Sequence, residues 1–167
     1  YAYVERLCRR YGGKLQVYLN GAVKDAESFR AALASAPHAA GVMIARAAAQ
    51  KPWIFAELRR SNRSNIIEGN ATEADSPEGS PLEIDCLALA LDFIADVEAF
   101  QPPEFHRTRL QRFFSYYCDN FSFAHYFKSK MLAAATADES RRRLADYFAE
   151  VPDDRYRTVP SGNAPRF

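Results

Sequence analysis

The 167-residue sequence lacks any apolar run long enough to span a bilayer, which removes a membrane-spanning helix from consideration. It is poor in cysteine. Cys8, Cys86 and Cys118 stand far apart, odd in number and outside any metal-ligand spacing. That excludes a disulfide framework and a cysteine-built metal site, and points to single thiols in a reducing compartment. It also lacks an excess of either charge: 22 Lys and Arg oppose 21 Asp and Glu, for a formal net charge of +1. Any polyanion partner would therefore have to be met by local patches rather than by the whole surface. No internal period of the solenoid kind is present. No secretory signal and no Met open the chain, which starts on what reads as the middle of a fold.

What is present is a composition of 48% hydrophobic and 26% charged residues, fit for packed globular structure. Residues 2–11 place Val4, Leu7, Cys8 and Tyr11 at helical spacing, with Arg6, Arg9 and Arg10 off that face. Gly12-Gly13 should end this helix in a left-handed cap. Leu15 to Leu19 is β-prone and is stopped by Asn20-Gly21. Asp25 can cap a helix carrying Phe29 and Leu33. Gly41-Val42-Met43-Ile44 reads as a second buried strand, and Pro52 as the first turn of a helix entering Trp53 to Leu58. The order helix, strand, helix, strand, helix predicts a parallel sheet covered by helices. Two strands alone cannot close a barrel or bury both faces.

Residues 61–81 are rich in Ser, Asn, Glu, Gly and Pro and read as a flexible linker or insertion. From Leu82 the periodicity turns helical. Ile84, Leu87, Leu91 and Ile94 mark one face, ending near Phe100. A second helix from about Glu104 to Cys118 buries Leu110, Phe113, Phe114 and Tyr117. A third, from about Phe123 to Ala135, buries Phe123, Phe127 and Met131. A fourth, near Glu139 to Ala149, buries Leu144, Tyr147 and Phe148. The result is a small helical bundle, with a loosely held tail from Pro152.

The chemically informative positions are the two strand ends. Asn20-Gly21-Ala22 follows the first and Ala45-Arg46-Ala47 the second. In a (β/α)8 barrel such ends carry ligands, and the loops after the seventh and eighth strands often hold a phosphate. Small residues let the backbone approach the anion, free N–H groups point at it, and Arg46 adds charge. Alone, Asn-Gly is an ordinary turn and Arg46 an ordinary rim residue. Their combination across a helical crossover is more specific.

Leu19-Asn20-Gly21, followed by Gly41-Val42-Met43-Ile44-Ala45-Arg46-Ala47-Ala48 and Pro52-Trp53-Ile54-Phe55, resembles the closing part of the tRNA-dihydrouridine synthase barrel. Ala45 stands where many members have Gly, and Lys51 where they have Asn. Alanine before Arg46 is similar to the eukaryotic tRNA-dihydrouridine(20) synthase branch, as is the stretch Tyr117 to Leu132. The resemblance implies an α/β plus all-α chain. Residues 1–60 would be the C-terminal part of an FMN-binding TIM (β/α)8 barrel, 61–81 a linker, 82–150 a helical tRNA-binding domain and 151–167 a loose tail. It implies FMN-phosphate contacts from Asn20, Gly21, Ala22, Ala45 and Arg46, with Ala22 acting through backbone only.

The implied reaction reduces a tRNA D-loop uridine to 5,6-dihydrouridine: NAD(P)H reduces FMN, a hydride passes from the flavin to the base, and a cysteine protonates the other carbon. None of the three cysteines fits that role, so the catalytic residues should lie outside this chain. Lys14 and His38 read as surface residues. The implied setting is cytoplasmic, with mitochondrial and nuclear addresses as alternatives, and a monomer at full length without metal or membrane.

The helical half interleaves Arg107, Arg109, Arg112, Lys128, Lys130 and Arg141 to Arg143 with Phe105, Tyr116, Phe121 and Tyr126. Such a face could track a phosphate backbone and stack on a base, although a bundle core with a solvated charged face gives the same pattern. With the resemblance, RNA contact falls chiefly to Arg107, Arg112, Lys128 and Lys130. Positive charge at a helix start, as in Arg141 to Arg143, is slightly unfavourable and favours an external anion. His106 and His125 read as ordinary helix residues. Two other readings stay open: an FMN barrel acting on a small molecule, and a non-catalytic RNA-binding protein.

Overall fold

A computed structural model of the chain describes residues 1–63 and 81–159. The chain forms two compact units, Tyr1–Ala74 and Asp75–Phe167. The boundary falls inside the stretch expected as a linker. Residues 64–80 of that stretch, and the tail from 160, lie outside the described residues.

In the first unit, α1 (Ala2–Tyr11) buries Cys8. Gly12 follows with a φ of −58°, so the expected left-handed cap does not form. Glycine is required there for space instead. A Cβ would sit 2.5 Å from the Cys8 carbonyl oxygen, which accepts the Gly12 N–H at 2.7 Å. The N–H groups of Lys14 and Leu15 both donate to the Tyr11 carbonyl at 2.8 Å. This turn leaves Leu15 exposed and shortens the first strand to β1 (Tyr18–Asn20). Next comes α2 (Ala26–Ser35), begun by a reciprocal cap: the Ser28 N–H donates to Asp25 Oδ1 at 2.8 Å and the Asp25 N–H to Ser28 Oγ at 3.1 Å. β2 (Gly41–Met43) follows, then α3 (Arg46–Gln50) and α4 (Ile54–Arg63). Lys51 before Pro52 takes an extended φ of −124° and ψ of 83°, which separates the two helices.

β1 and β2 are parallel, with Tyr18 opposite Gly41, Leu19 opposite Val42 and Asn20 opposite Met43. Side chains alternate between faces. Leu19 and Val42 face the helices, in a core built on Leu19, Val23, Ala32 and Ala36. Tyr18 and Met43 lie on the other face, 56% and 50% exposed. The strands expected to be buried are thus covered on one side only, because nothing among the described residues of this unit covers the second face.

In the second unit, Leu82–Asp85 forms a strand, β3, where a helix was expected. The helix α5 (Cys86–Phe100) starts after it, with Asp85 Oδ1 accepting the N–H groups of Leu87 and Ala88 at 3.0 Å. Its buried spine is Cys86, Ala90, Ile94 and Val97; Leu87 and Leu91 lie half-buried on a flank. α6 (Pro103–Tyr117), a 3-10 turn (Cys118–Asn120), α7 (Ala124–Leu132) and α8 (Ala137–Glu150) complete the bundle. Phe123, expected in the core, precedes α7 and is 59% exposed. The core is aromatic: Phe93 stacks on Phe113 at 3.9 Å, and Phe121 contacts Phe127 and Tyr147.

The tail expected to be loose from Pro152 is held to Val159. A 3-10 turn (Pro152–Asp154) leads into β4 (Tyr156–Val159), antiparallel to β3 with Leu82 opposite Val159. Arg155 grips Asp85 in a two-pronged ion pair, the shortest contact being 2.8 Å. Buried Asp154 accepts from Ser122 N–H (2.9 Å), Ser122 Oγ (2.8 Å), Tyr147 hydroxyl (2.5 Å) and Arg157 (3.0 Å). These bonds fix the turn that feeds β4.

Candidate functional site

The parallel register decides the geometry of the first site. Asn20 and Met43 are partners at the C-terminal ends of β1 and β2, so the two loops leave the sheet side by side. Asn20 shares the exposed face with Met43. Gly21 then takes a φ of 123°, open to glycine and rarely adopted by other residues, and Ala22 a φ of 58°. Two left-handed residues in succession turn the chain sharply away from the strand. The second is disfavoured for an alanine, and such backbone outliers gather at functional loops. The Tyr1 hydroxyl donates to the Gly21 carbonyl at 2.9 Å, and buried Val23 anchors the far side of the turn.

At the second tip, Ile44 packs on the core and Ala45 precedes α3 without any side-chain cap. The N–H groups of Arg46 and Ala47 open the helix and have no intrahelical acceptor. A five-residue helix carries little dipole, so the charge available here is that of Arg46. Its side chain is exposed and forms no ion pair among the described residues. Asn20, Gly21, Ala22, Ala45 and Arg46 are therefore gathered at one end of the sheet. Sequence reading missed two neighbours. Lys24 and Lys51 both lie close enough to Asp25 to favour its charged form, although Ser28's hydrogen bonds are the main reason its pKa lies below the ordinary carboxylate range. This end is thus cationic, with loop N–H groups, small residues and open space around Gly21. That set suits a phosphate.

The basic residues of the bundle do not form one face. On α6, about 100° per residue places Phe105, Arg109, Arg112 and Tyr116 within about 60° of one another, while Arg107 lies about 140° from Arg112. Arg109, passed over in the sequence reading, is thus the partner of Arg112. Arg107 lies on the flank of Gln111, whose Nε2 donates to the Leu132 carbonyl at the end of α7. Lys128 lies on the α7 flank that carries Leu132. Lys130 lies on the opposite flank, tied to Glu150 at 2.9 Å and to the Tyr126 hydroxyl at 3.3 Å. Burial opposes its charge, but these bonds outweigh it and its pKa is raised. Lys130 is thus already partnered inside the fold.

The run Arg141 to Arg143 is also largely explained internally. Arg141 pairs with Glu98 and with Asp138, the latter at 2.8 Å. Arg143 pairs with Glu139 at 2.6 Å. Arg107, Arg109 and Arg112 are exposed and make no ion pair among the described residues.

Cys8, Cys86 and Cys118 are all buried, and burial pushes the thiols of Cys86 and Cys118 up. His106 bonds the Gln101 carbonyl at 2.8 Å, and exposed His38 bonds Glu5 at 2.6 Å. Among the described residues no group of three or more His, Cys, Asp or Glu could hold a metal, and no helix is long and apolar enough to cross a membrane.

The dihydrouridine synthase (Dus) family model matches residues 1–151. The chain belongs to the dihydrouridine synthase family. The match runs through both units and ends just before the turn that feeds β4. Dihydrouridine synthases are oxidoreductases that act on tRNA, built on a TIM barrel and generally dependent on FMN and NAD(P)H. Comparison with individual curated proteins finds no match. For a dihydrouridine synthase, the gathered strand ends of the first unit and the arginines of α6 are the features that ask for a chemical role.

Proposed function

We propose that the chain is the C-terminal part of a tRNA-dihydrouridine synthase, in which β1 and β2 are the last two strands of the barrel and the bundle faces tRNA. One observation carries the reading. The parallel pairing of Asn20 with Met43 brings the positive-φ turn at Gly21-Ala22 beside the Ala45-Arg46 helix start. The half-exposed Tyr18 and Met43 support it too, since parallel strands normally have both faces covered.

On this reading Arg46 would neutralise the FMN phosphate, while Gly21, Ala22 and Ala45 would offer it backbone N–H groups. Their lack of bulky side chains lets the anion approach. Asn20 offers its amide on the face that would look into the barrel. Bound there, FMN would supply hydride-transfer chemistry, with NAD(P)H as the reductant. The proton donor for the base belongs to barrel residues outside this chain, since all three thiols here are buried. The substrate is a D-loop uridine, as the Ala45-Arg46 pattern suggests. Arg109 and Arg112 on one flank of α6, and Arg107 with Lys128 on the other, contact the tRNA backbone. Lys130 contributes through its pair with Glu150 rather than as a free cation. The cytoplasm and a monomeric state complete the proposal.

The test is to supply the full-length protein with unmodified tRNA and NADPH and to measure nucleosides by mass spectrometry. Uridine gaining the mass of two hydrogens, at a D-loop position, is the expected result. Flavin that turns over while the tRNA stays unmodified would contradict the reading.

A further inference from the structure

α1 presents a second basic surface that neither strand tip nor bundle accounts for. Tyr3, Arg6 and Arg10 fall within about 60° of one another on the helix, opposite buried Cys8. All three are exposed, Tyr3 to 65%. The only acid of the helix, Glu5, is turned away and held by Arg9 and His38, each at 2.6 Å. Arg6 and Arg10 have no carboxylate partner among the described residues. Each lies over a tyrosine ring instead: Arg6 over Tyr3 at 5.7 Å and Arg10 over Tyr11 at 5.3 Å from the ring centres. Lys14, beyond the helix end, is exposed as well.

Two like charges one turn apart repel, and nothing here offsets that by pairing. A cation–π contact does not use up the guanidinium's N–H donors, which stay available to an anion. It also restrains a side chain that would otherwise lose rotamer freedom on binding. The two guanidiniums start about 6 Å apart along the helix axis, a step comparable to that between neighbouring phosphates of one nucleic-acid strand. Exposed Tyr3 adds a ring surface on which a base can stack, which a carboxylate cluster or a lipid surface does not need. We propose that the Tyr3-Arg6-Arg10 face of α1 is a second RNA-backbone contact, separate from the bundle, which grips two successive phosphates of the tRNA.

This inference rests on the proposed function for the identity of the RNA. The experiment measures tRNA affinity of the full-length protein from low to moderate salt, comparing wild type with R6E/R10E and with R109E/R112E. In R6E/R10E, affinity should fall at least about tenfold near 0.1 M salt, and the slope of log K against log salt should shrink by about 2, as two lost phosphate contacts require. NADPH-driven flavin reduction should be unchanged, since these exposed side chains are not among the residues assigned to the flavin phosphate. The milder R6Q/R10Q pair should lose affinity in the same direction. R6E/R10E binding like wild type while R109E/R112E binds weakly would overturn this inference and leave the proposed function intact. Wild-type protein that fails to bind tRNA at all would overturn both.

Discussion

Replacing Asp154 by alanine tests whether the C-terminal strand is held by a buried carboxylate. Asp154 is 1% exposed and accepts from Ser122, Tyr147 and Arg157. Truncation leaves a buried tyrosine hydroxyl and a serine without this acceptor, while Arg157 keeps the Asn120 carbonyl but has no partner for its Nε among the described residues. Removing one member of a buried ion pair costs about 3–5 kcal/mol. Arg157 is 35% exposed, so water can take over part of its solvation and the lower end applies, about 3 kcal/mol. Tyr147→Phe removes one donor from a carboxylate that keeps its others, and should cost about 1 kcal/mol. Urea unfolding followed by circular dichroism reads both values as midpoint shifts at constant slope. Hydrogen exchange should speed up in 156–159 before it does in α6. Should Asp154→Ala lie within about 1 kcal/mol of wild type, the network would not be what orders the tail.

Ala22→Gly should stabilise the chain by about 0.5–1 kcal/mol, because relief of a left-handed alanine outweighs glycine's extra chain entropy; a lower unfolding midpoint would show that the turn is not strained. Asp25 carries a pH dependence. Ser28 holds its carboxyl below the ordinary range, so the folded chain binds a proton less readily than the unfolded chain. The stabilisation is full above the unfolded value of about 4 and drains as pH falls through the folded one. Asp25→Asn should therefore be less stable at neutral pH and lose less on acidification, read as unfolding midpoints from pH 6 down to 3; an unchanged acid limb would refute the assignment.

The alternation of elements in the first unit was legible because each carries a local signal: Gly12, Asp25 and Pro52. The four bundle helices were legible from apolar spacing. What escaped depends on distant partners. Leu82-Glu83-Ile84-Asp85 alternates like a strand but also fits a helix start, and only Val159, 77 positions on (159 minus 82), decides between them. Small Cys86 and Ala90 form the spine of α5 although the leucines beside them look more hydrophobic. Spacing of charges alone could not say that Lys130 and Arg143 spend their charge on Glu150 and Glu139. The order of elements was enough to expect the two strand ends side by side, since a parallel pair joined by one helix brings them together. It could not show the paired positive φ angles at Gly21 and Ala22.

The account turns on whether the two strand tips hold one phosphate between them. Full-length protein carrying Arg46→Ala should be dialysed beside wild type and its bound FMN measured by absorbance. Loss of most of the flavin from the variant, with wild type retaining its own and both equally folded, is the predicted result. Equal flavin in both would mean that Arg46 does not grip the cofactor, and the assignment of this end of the sheet would fall.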